Sequence, residues 1–105
     1  MIQAIKDNST TPPIIILQGD HGPGSMLDWE SLANSNIQER FSILNAYYVP
    51  EATKAILYPS ISPVNSFRVI FNSVFKSQFE ILEDKSYFAT WSKPYYFMDV
   101  SEQLK

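Results

Sequence analysis

Apolar residues fall into three arrangements along the chain. Ile14, Ile15, Ile16 and Leu17 stand side by side with no polar residue between them. A β-branched run without alternation predicts a strand buried on both faces, in the middle of a parallel sheet. Residues 41–49 (FSILNAYYV) are again rich in β-branched and aromatic types and stop at Pro50. They predict a second strand, also buried on both faces and a neighbour of the first. In the third arrangement Val64, Phe67, Ile70, Phe71, Val74 and Phe75 recur at three- and four-residue steps. That period predicts a helix over 64–75, with Ser62 as N-cap, Pro63 at the first helical position, and Phe67, Phe71 and Val74 facing the core.

The intervening segments are less regular. The opening, MIQAIKDNSTTPP, places Ile2 and Ile5 on one side of a short helix that Pro12 and Pro13 forbid from continuing. So short a helix reads as the end of a longer one. Residues 25–40 read as a loop with one helical turn, anchored by Met26, Leu27, Trp29, Leu32 and Ile37. Residues 52–58 fit a short helix or a loop, and 59–63 fit a turn. Beyond Phe79 the pieces SYFATW and PYYFMDV either pair as strands or wrap the core as an extended tail. No repeat and no linker rich in Gly and Ser divides the chain, so residues 1–105 are read as a single α/β domain.

Composition narrows the function. At 45% hydrophobic and 18% charged residues the 105-residue chain is of the globular kind. Eight Lys and Arg against eleven Asp and Glu leave a net charge of -3, so there is no basic field for a nucleic-acid backbone. The absence of cysteine removes disulfides, zinc-thiolate sites and thiol nucleophiles. Apolar runs of about four residues are far short of the ~20 that a membrane-spanning helix needs. Gln3, Lys6 and Asp7 stand where a signal peptide would be apolar, so none is expected.

The candidate chemistry sits at the end of the first predicted strand. There the chain reads GDHGPG, with its only histidine, His21, directly after Asp20. Gly19, Gly22, Pro23 and Gly24 make a tight loop, from which two adjacent side chains can aim at one point as they cannot from a strand. The pair fits half of a divalent-metal site, with Asp28 or Glu30 near enough in sequence to add a carboxylate, although such a pair is more often a turn carrying a solvated imidazole and the two acids more often solvated loop residues. A serine triad does not fit, because Asp20 would have to orient its own neighbour and there is no G-x-S-x-G motif. The glycine spacing is not that of a dinucleotide site. Aromatic residues between Tyr87 and Phe97 are read as packing rather than as a base- or sugar-stacking platform, and Arg68 as a stem covering apolar surface.

The order PPIIILQGDHGPG, ERFSILNAYYVP, LYPSISPVNSFRVIFNSVF and SYFATWSKPYYFMDV resembles the C-terminal portion of bacterial sulfatase-like hydrolases and transferases of the alkaline phosphatase superfamily. The resemblance spans nearly the whole chain. It implies an α/β/α sandwich with a small, mostly parallel sheet and flanking helices. It also implies Asp20 and His21 as ligands of a catalytic divalent metal (Mn, Zn or Ca) in the intact enzyme. One histidine favours the single-metal sulfatase and phosphoglycerol-transferase branches over the two-metal phosphatases. In that family the nucleophilic Thr, Ser or formylglycine lies far upstream of the DHG loop, with further acidic ligands. The expectation is therefore a C-terminal piece whose partner is the N-terminal part of a parent enzyme, with no catalytic residue of its own. Relatives of this type are often membrane-anchored with an extracytoplasmic catalytic domain. Exposed strand edges predict a homo-oligomer. The competing reading is a non-catalytic, self-associating interaction domain.

Overall fold

A computed structural model describes all 105 residues. Its elements are helices α1 (Ile2–Asp7), α2 (Ile37–Phe41), α3 (Glu51–Lys54) and α4 (Pro63–Phe75) and strands β1 (Ile15–Gln18), β2 (Asn45–Tyr48), β3 (Tyr87–Phe88) and β4 (Met98–Asp99), closed by a 3₁₀ turn, Ser101–Leu104. The protein is thus a mixed α/β chain.

The sheets correct the expected topology. β1 and β2 pair antiparallel, with Ile16 opposite Tyr47 and Gln18 opposite Asn45, and β3 and β4 form a second antiparallel ribbon. No strands pair in parallel. β1 is not enclosed either, since Leu17 is 44% exposed and the strand has a neighbour on one edge only. The predicted second strand is shorter than the apolar run that suggested it. Phe41 belongs to α2, whose first turn is fixed by the Asn36 side chain accepting from Glu39 N at 3.0 Å. An N-cap set by a polar residue outweighs the strand propensity of the apolar run that follows it.

α4 begins at Pro63 as expected. The Ser62 backbone carbonyl accepts from Ser66 N at 2.9 Å, but its hydroxyl makes no capping bond. The buried face differs from the expected one. Asn65, Ser66, Val69 and Ile70 are buried, whereas Phe67 and Phe71 are each 38% exposed and Val74 is half-buried. After Lys76 turns left-handed at φ 56°, residues 79–84 run back along the helix. Three α4 side chains one turn apart hold them there. Asn72 pairs with both Phe79 N and O at 2.8 Å, Arg68 donates to Glu80 O at 2.9 Å, and Asn65 pairs with Leu82 N at 3.0 Å and Leu82 O at 2.7 Å. A stripe of side chains takes the place of a neighbouring strand.

Besides Val69 and Ile70 of α4, the buried apolar residues form one cluster elsewhere. Ile37, Phe88 and Val100 are buried together, with Leu27, Leu32, Phe41, Met98 and Leu104 around them, so the β3–β4 ribbon packs on α2. The tail pairs as strands, and of its aromatics only Phe88 is buried, while Tyr95 is 89% exposed. The radius of gyration is 16.7 Å against about 13 Å for a compact domain of this length. Its surface of 7692 Å² exceeds the ~6,000 Å² of a folded monomer of this mass. The chain on its own leaves much apolar area uncovered. No helix is long and apolar enough to cross a membrane.

Candidate functional site

The Asp20–His21 loop leaves the end of β1 still tied to the β2 side, through Gly19 N donating to Leu44 O at 2.8 Å. Three residues after Gly19, Gly22 lies against the end of α2. Its N–H donates to Arg40 O at 2.7 Å, and a Cβ there would stand 2.0 Å from Glu39 O. Only glycine allows so close an approach, so the DHG glycine is explained by contact rather than by an unusual φ. α2 is held in turn by the Glu39 carboxylate, which accepts from Ser25 Oγ and, at 3.1 Å, from Met26 N.

Within this frame the two expected residues come together. Asp20 Oδ1 accepts from His21 N at 3.0 Å, which aims Oδ2 at His21 Nε2, 3.6 Å away. Two ligands of one ion, each about 2.0–2.2 Å from it, stand roughly 3.0–3.5 Å apart. At 3.6 Å the pair stands slightly wider than that, and a small shift of either side chain, 88% and 50% exposed, would make one hard oxygen and one imidazole nitrogen two donors to a divalent cation. A third donor does not join them: no group of three or more His, Asp or Glu is close enough to hold an ion. Asp28 and Glu30 are engaged in shaping the loop. Asp28 accepts from Glu30 N at 2.9 Å, and Glu30 accepts from Ser92 Oγ at 2.6 Å. Neither joins the pair, so the carboxylate that their closeness in sequence allows is not supplied.

Both residues line a cavity of about 680 Å³, together with Arg40, Asn45, Ser62, Asp84 and Lys85. Arg40 had no signal in the sequence, because it lies 19 positions from His21 and α2 alone brings it back. Its Nη1 is 2.8 Å from His21 Nδ1 and 3.1 Å from Gly22 O, and its guanidinium stacks 5.5 Å from the Trp29 ring centre. Asp84, also missed, is a structural anchor. It accepts from Tyr58 Oη at 2.6 Å, Ser62 N at 2.7 Å and Asn65 Nδ2 at 2.8 Å. Burial works to raise its pKa, but these hydrogen bonds outweigh burial and hold the carboxyl at about 2. Burial, followed by the hydrogen bond and charge of Asp84, pushes the Tyr58 hydroxyl up. Lys85 is paired with Glu83 at 3.2 Å, so its charge is already answered. The hydroxyl of Ser62, in the same wall, is buried without a partner.

A polar chain links the strands behind the site to α4. Gln18 donates to Asn45 Oδ1 at 3.2 Å, Asn45 donates to Tyr47 Oη, and the Tyr47 and Ser66 hydroxyls are 2.6 Å apart. The N-A-Y-Y and S-P-V-N-S-F-R segments thus have roles in register and clamping. No protein-family model, curated protein or solved structure matches the chain.

Proposed function

We propose that this chain supplies the Asp-His ligand loop of a metal-dependent, sulfatase-like hydrolase or transferase of phosphate or sulfate esters, within an alkaline-phosphatase-like fold. The observation that carries the reading is the convergence of Asp20 Oδ2 and His21 Nε2 to 3.6 Å at the end of β1, on the wall of a cavity. Its wider support is the ordered resemblance from PPIIILQGDHGPG to SYFATWSKPYYFMDV. When bound, the metal polarises the ester and neutralises charge on the transferred group. The chain's own residues prepare that position. Gly22 presses the loop onto α2, the His21 N–H fixes the Asp20 carboxylate, and the polar chain from Gln18 to Ser66 fixes the strands beneath. The nucleophile and the remaining ligands belong to the N-terminal part of the parent enzyme. The uncovered apolar surface is in keeping with such a partner.

Calorimetric titration of the chain with Mn²⁺, Zn²⁺ or Ca²⁺ tests this. Weak binding is expected, with a Kd on the order of 0.1–1 mM for so incomplete a donor set, and it should vanish in both Asp20→Ala and His21→Ala. No turnover of aryl phosphate or aryl sulfate esters is expected; turnover lost in both variants would instead show a complete enzyme. Failure of every metal to bind would remove the reading. The coding sequence directly upstream should continue, in frame, into a segment carrying the nucleophile.

A second reading is favoured by the aromatic ladder of Phe67, Phe71, Phe75 and Phe79. These rings lie 5.8–6.2 Å from their neighbours and are each at least 38% exposed. On that reading the chain is a non-catalytic domain that associates with itself through this face. Light scattering that finds oligomers, combined with absent metal binding, selects it over the first.

A further inference from the structure

His21 Nδ1 faces two groups with opposite demands. Gly22 O, 2.9 Å away, is an acceptor and calls for a proton on Nδ1. Arg40 Nη1, 2.8 Å away, can only donate and calls for a lone pair there. A neutral imidazole satisfies one of them at a time, and the choice fixes its other nitrogen. With Arg40 donating to Nδ1, the ring proton sits on Nε2, the atom that faces Asp20, and Nε2 has no lone pair for a cation. With Nδ1–H donating to Gly22 O, the Nε2 lone pair is presented beside the Asp20 carboxylate.

Arg40 also has a reason to leave. None of the chain's ion pairs involves it. Its guanidinium lines the same cavity as Asp20 and His21 and keeps Gly22 O as a second acceptor at 3.1 Å. A planar guanidinium without a carboxylate partner, in a cavity beside two metal ligands, is suited to a tetrahedral oxyanion, which it grips through two parallel N–H donors.

We propose that Arg40 is a positioning residue that sets the tautomer of His21 and thereby couples binding of a phosphate or sulfate oxyanion to binding of the metal. In the resting state the guanidinium holds His21 with its proton on Nε2. An oxyanion in the cavity draws the guanidinium off Nδ1, the ring proton moves to Nδ1 by exchange with solvent, and Nε2 is freed for the metal. The order prevents tight metal capture before substrate is in place. The metal half of this coupling rests on the reading of Asp20 and His21 as ligands, whereas the tautomer half does not.

The chain's single histidine makes the test direct. Long-range ¹H–¹⁵N correlation of the imidazole, recorded without metal at about pH 8.5 where an ordinary imidazole is neutral, reports which nitrogen carries the proton. The resting chain should show the proton on Nε2. It should move to Nδ1 on addition of inorganic phosphate or of phenyl phosphate, and the lower half-saturating concentration tells whether the released anion or the ester is the natural occupant. Arg40→Met keeps an unbranched stem but no guanidinium, should show the proton on Nδ1 from the start, and should bind Mn²⁺ about tenfold more tightly than the unmutated chain if the competent tautomer is a minor one at rest. Phosphate should then tighten Mn²⁺ binding in the parent chain and not in Arg40→Met. A resting proton already on Nδ1, or no movement with saturating anion in the unmutated chain, overturns the proposal whether or not the variant folds. Tautomer exchange that follows the anion, with no metal binding in any form, would remove the metal reading and leave the role of Arg40 on His21 standing.

Discussion

The two faces of α4 divide polar and apolar residues in an unusual way. One buries Asn65 and Ser66 fully beside Val69 and Ile70, and the other carries Phe67, Phe71 and Phe75, all exposed, with Phe75 at 66%. The polar face is inside because each of its groups has a partner. Asn65 alone answers the backbone N–H and C=O of Leu82 and one oxygen of Asp84. The phenylalanines are outside because nothing in these 105 residues covers them. Burial of a polar group costs little once it is hydrogen-bonded, and an aromatic row contributes to folding only where something covers it. The polar face knits the chain to itself, and the aromatic face is left for something else.

The largest effect should come from the polar face. Asn65→Ala strips the partners from Leu82 N–H and C=O and removes one of three bonds from Asp84, leaving part-buried groups unpaired. Urea unfolding should show a loss of about 2–4 kcal/mol. That would exceed the cost of truncating any exposed phenylalanine on the same helix. A loss below that of Phe71→Ala would mean that residues 79–84 do not depend on the amide stripe, and the contrast between the faces would collapse.

How far the sequence discloses this depends on the kind of signal. The three- and four-residue spacing of apolar residues places α4 within a residue, with Pro63 at its start, because periodicity and cap chemistry are local. The same spacing misassigns the face, because a stripe that meets this chain's core and a stripe that meets another surface read alike. Asn65, Arg68 and Asn72 recur at the same steps, and that pattern was the available sign of a clamp. The run at Ile14 to Leu17 marks β1 but not its pairing, since β-branched residues suit antiparallel ribbons as well as parallel sheets. Asp20 and His21 are legible because they are neighbours in a glycine loop. Arg40 and Asp84 are not, because α2 and the return of residues 79–84 along α4 bring them to the cavity from afar.

A smaller effect, on the same polar face, comes from acid. The Asp84 carboxyl is held at about 2, below its ordinary 3.8, so it contributes stability that is fully present above about pH 4 and is lost as pH falls toward 2. Asp84→Asn should therefore destabilise the chain at pH 7 and have much less effect at pH 2. Asp99, also held below its ordinary value, first by Ser101, is present in both chains and cancels in the difference. Unfolding midpoints measured from pH 7 to 2 check this, and a gap between the two chains that stays constant over that range would show that the Tyr58, Ser62 and Asn65 bonds do not favour the charged form.

The smallest effect on stability should come from the aromatic face. Phe71 is the middle ring of the ladder, 6.0 Å from Phe67, 5.8 Å from Phe75 and 6.2 Å from Phe79. Were it a core residue, Phe71→Ala would cost about 3–5 kcal/mol. At 38% exposure it forfeits only part of its burial and its edge contacts, so a loss of about 1 kcal/mol is expected. Phe75→Ala, at 66% exposure, should cost less still. What both substitutions should lower is association. An uncovered row of rings drives contact with whatever apolar surface is available, including a second copy of the chain, so light scattering at about millimolar concentration should show less oligomer in either variant. A loss of 3 kcal/mol or more in Phe71→Ala, with association unchanged, would place the ladder in the core and make α4 an ordinary amphipathic helix.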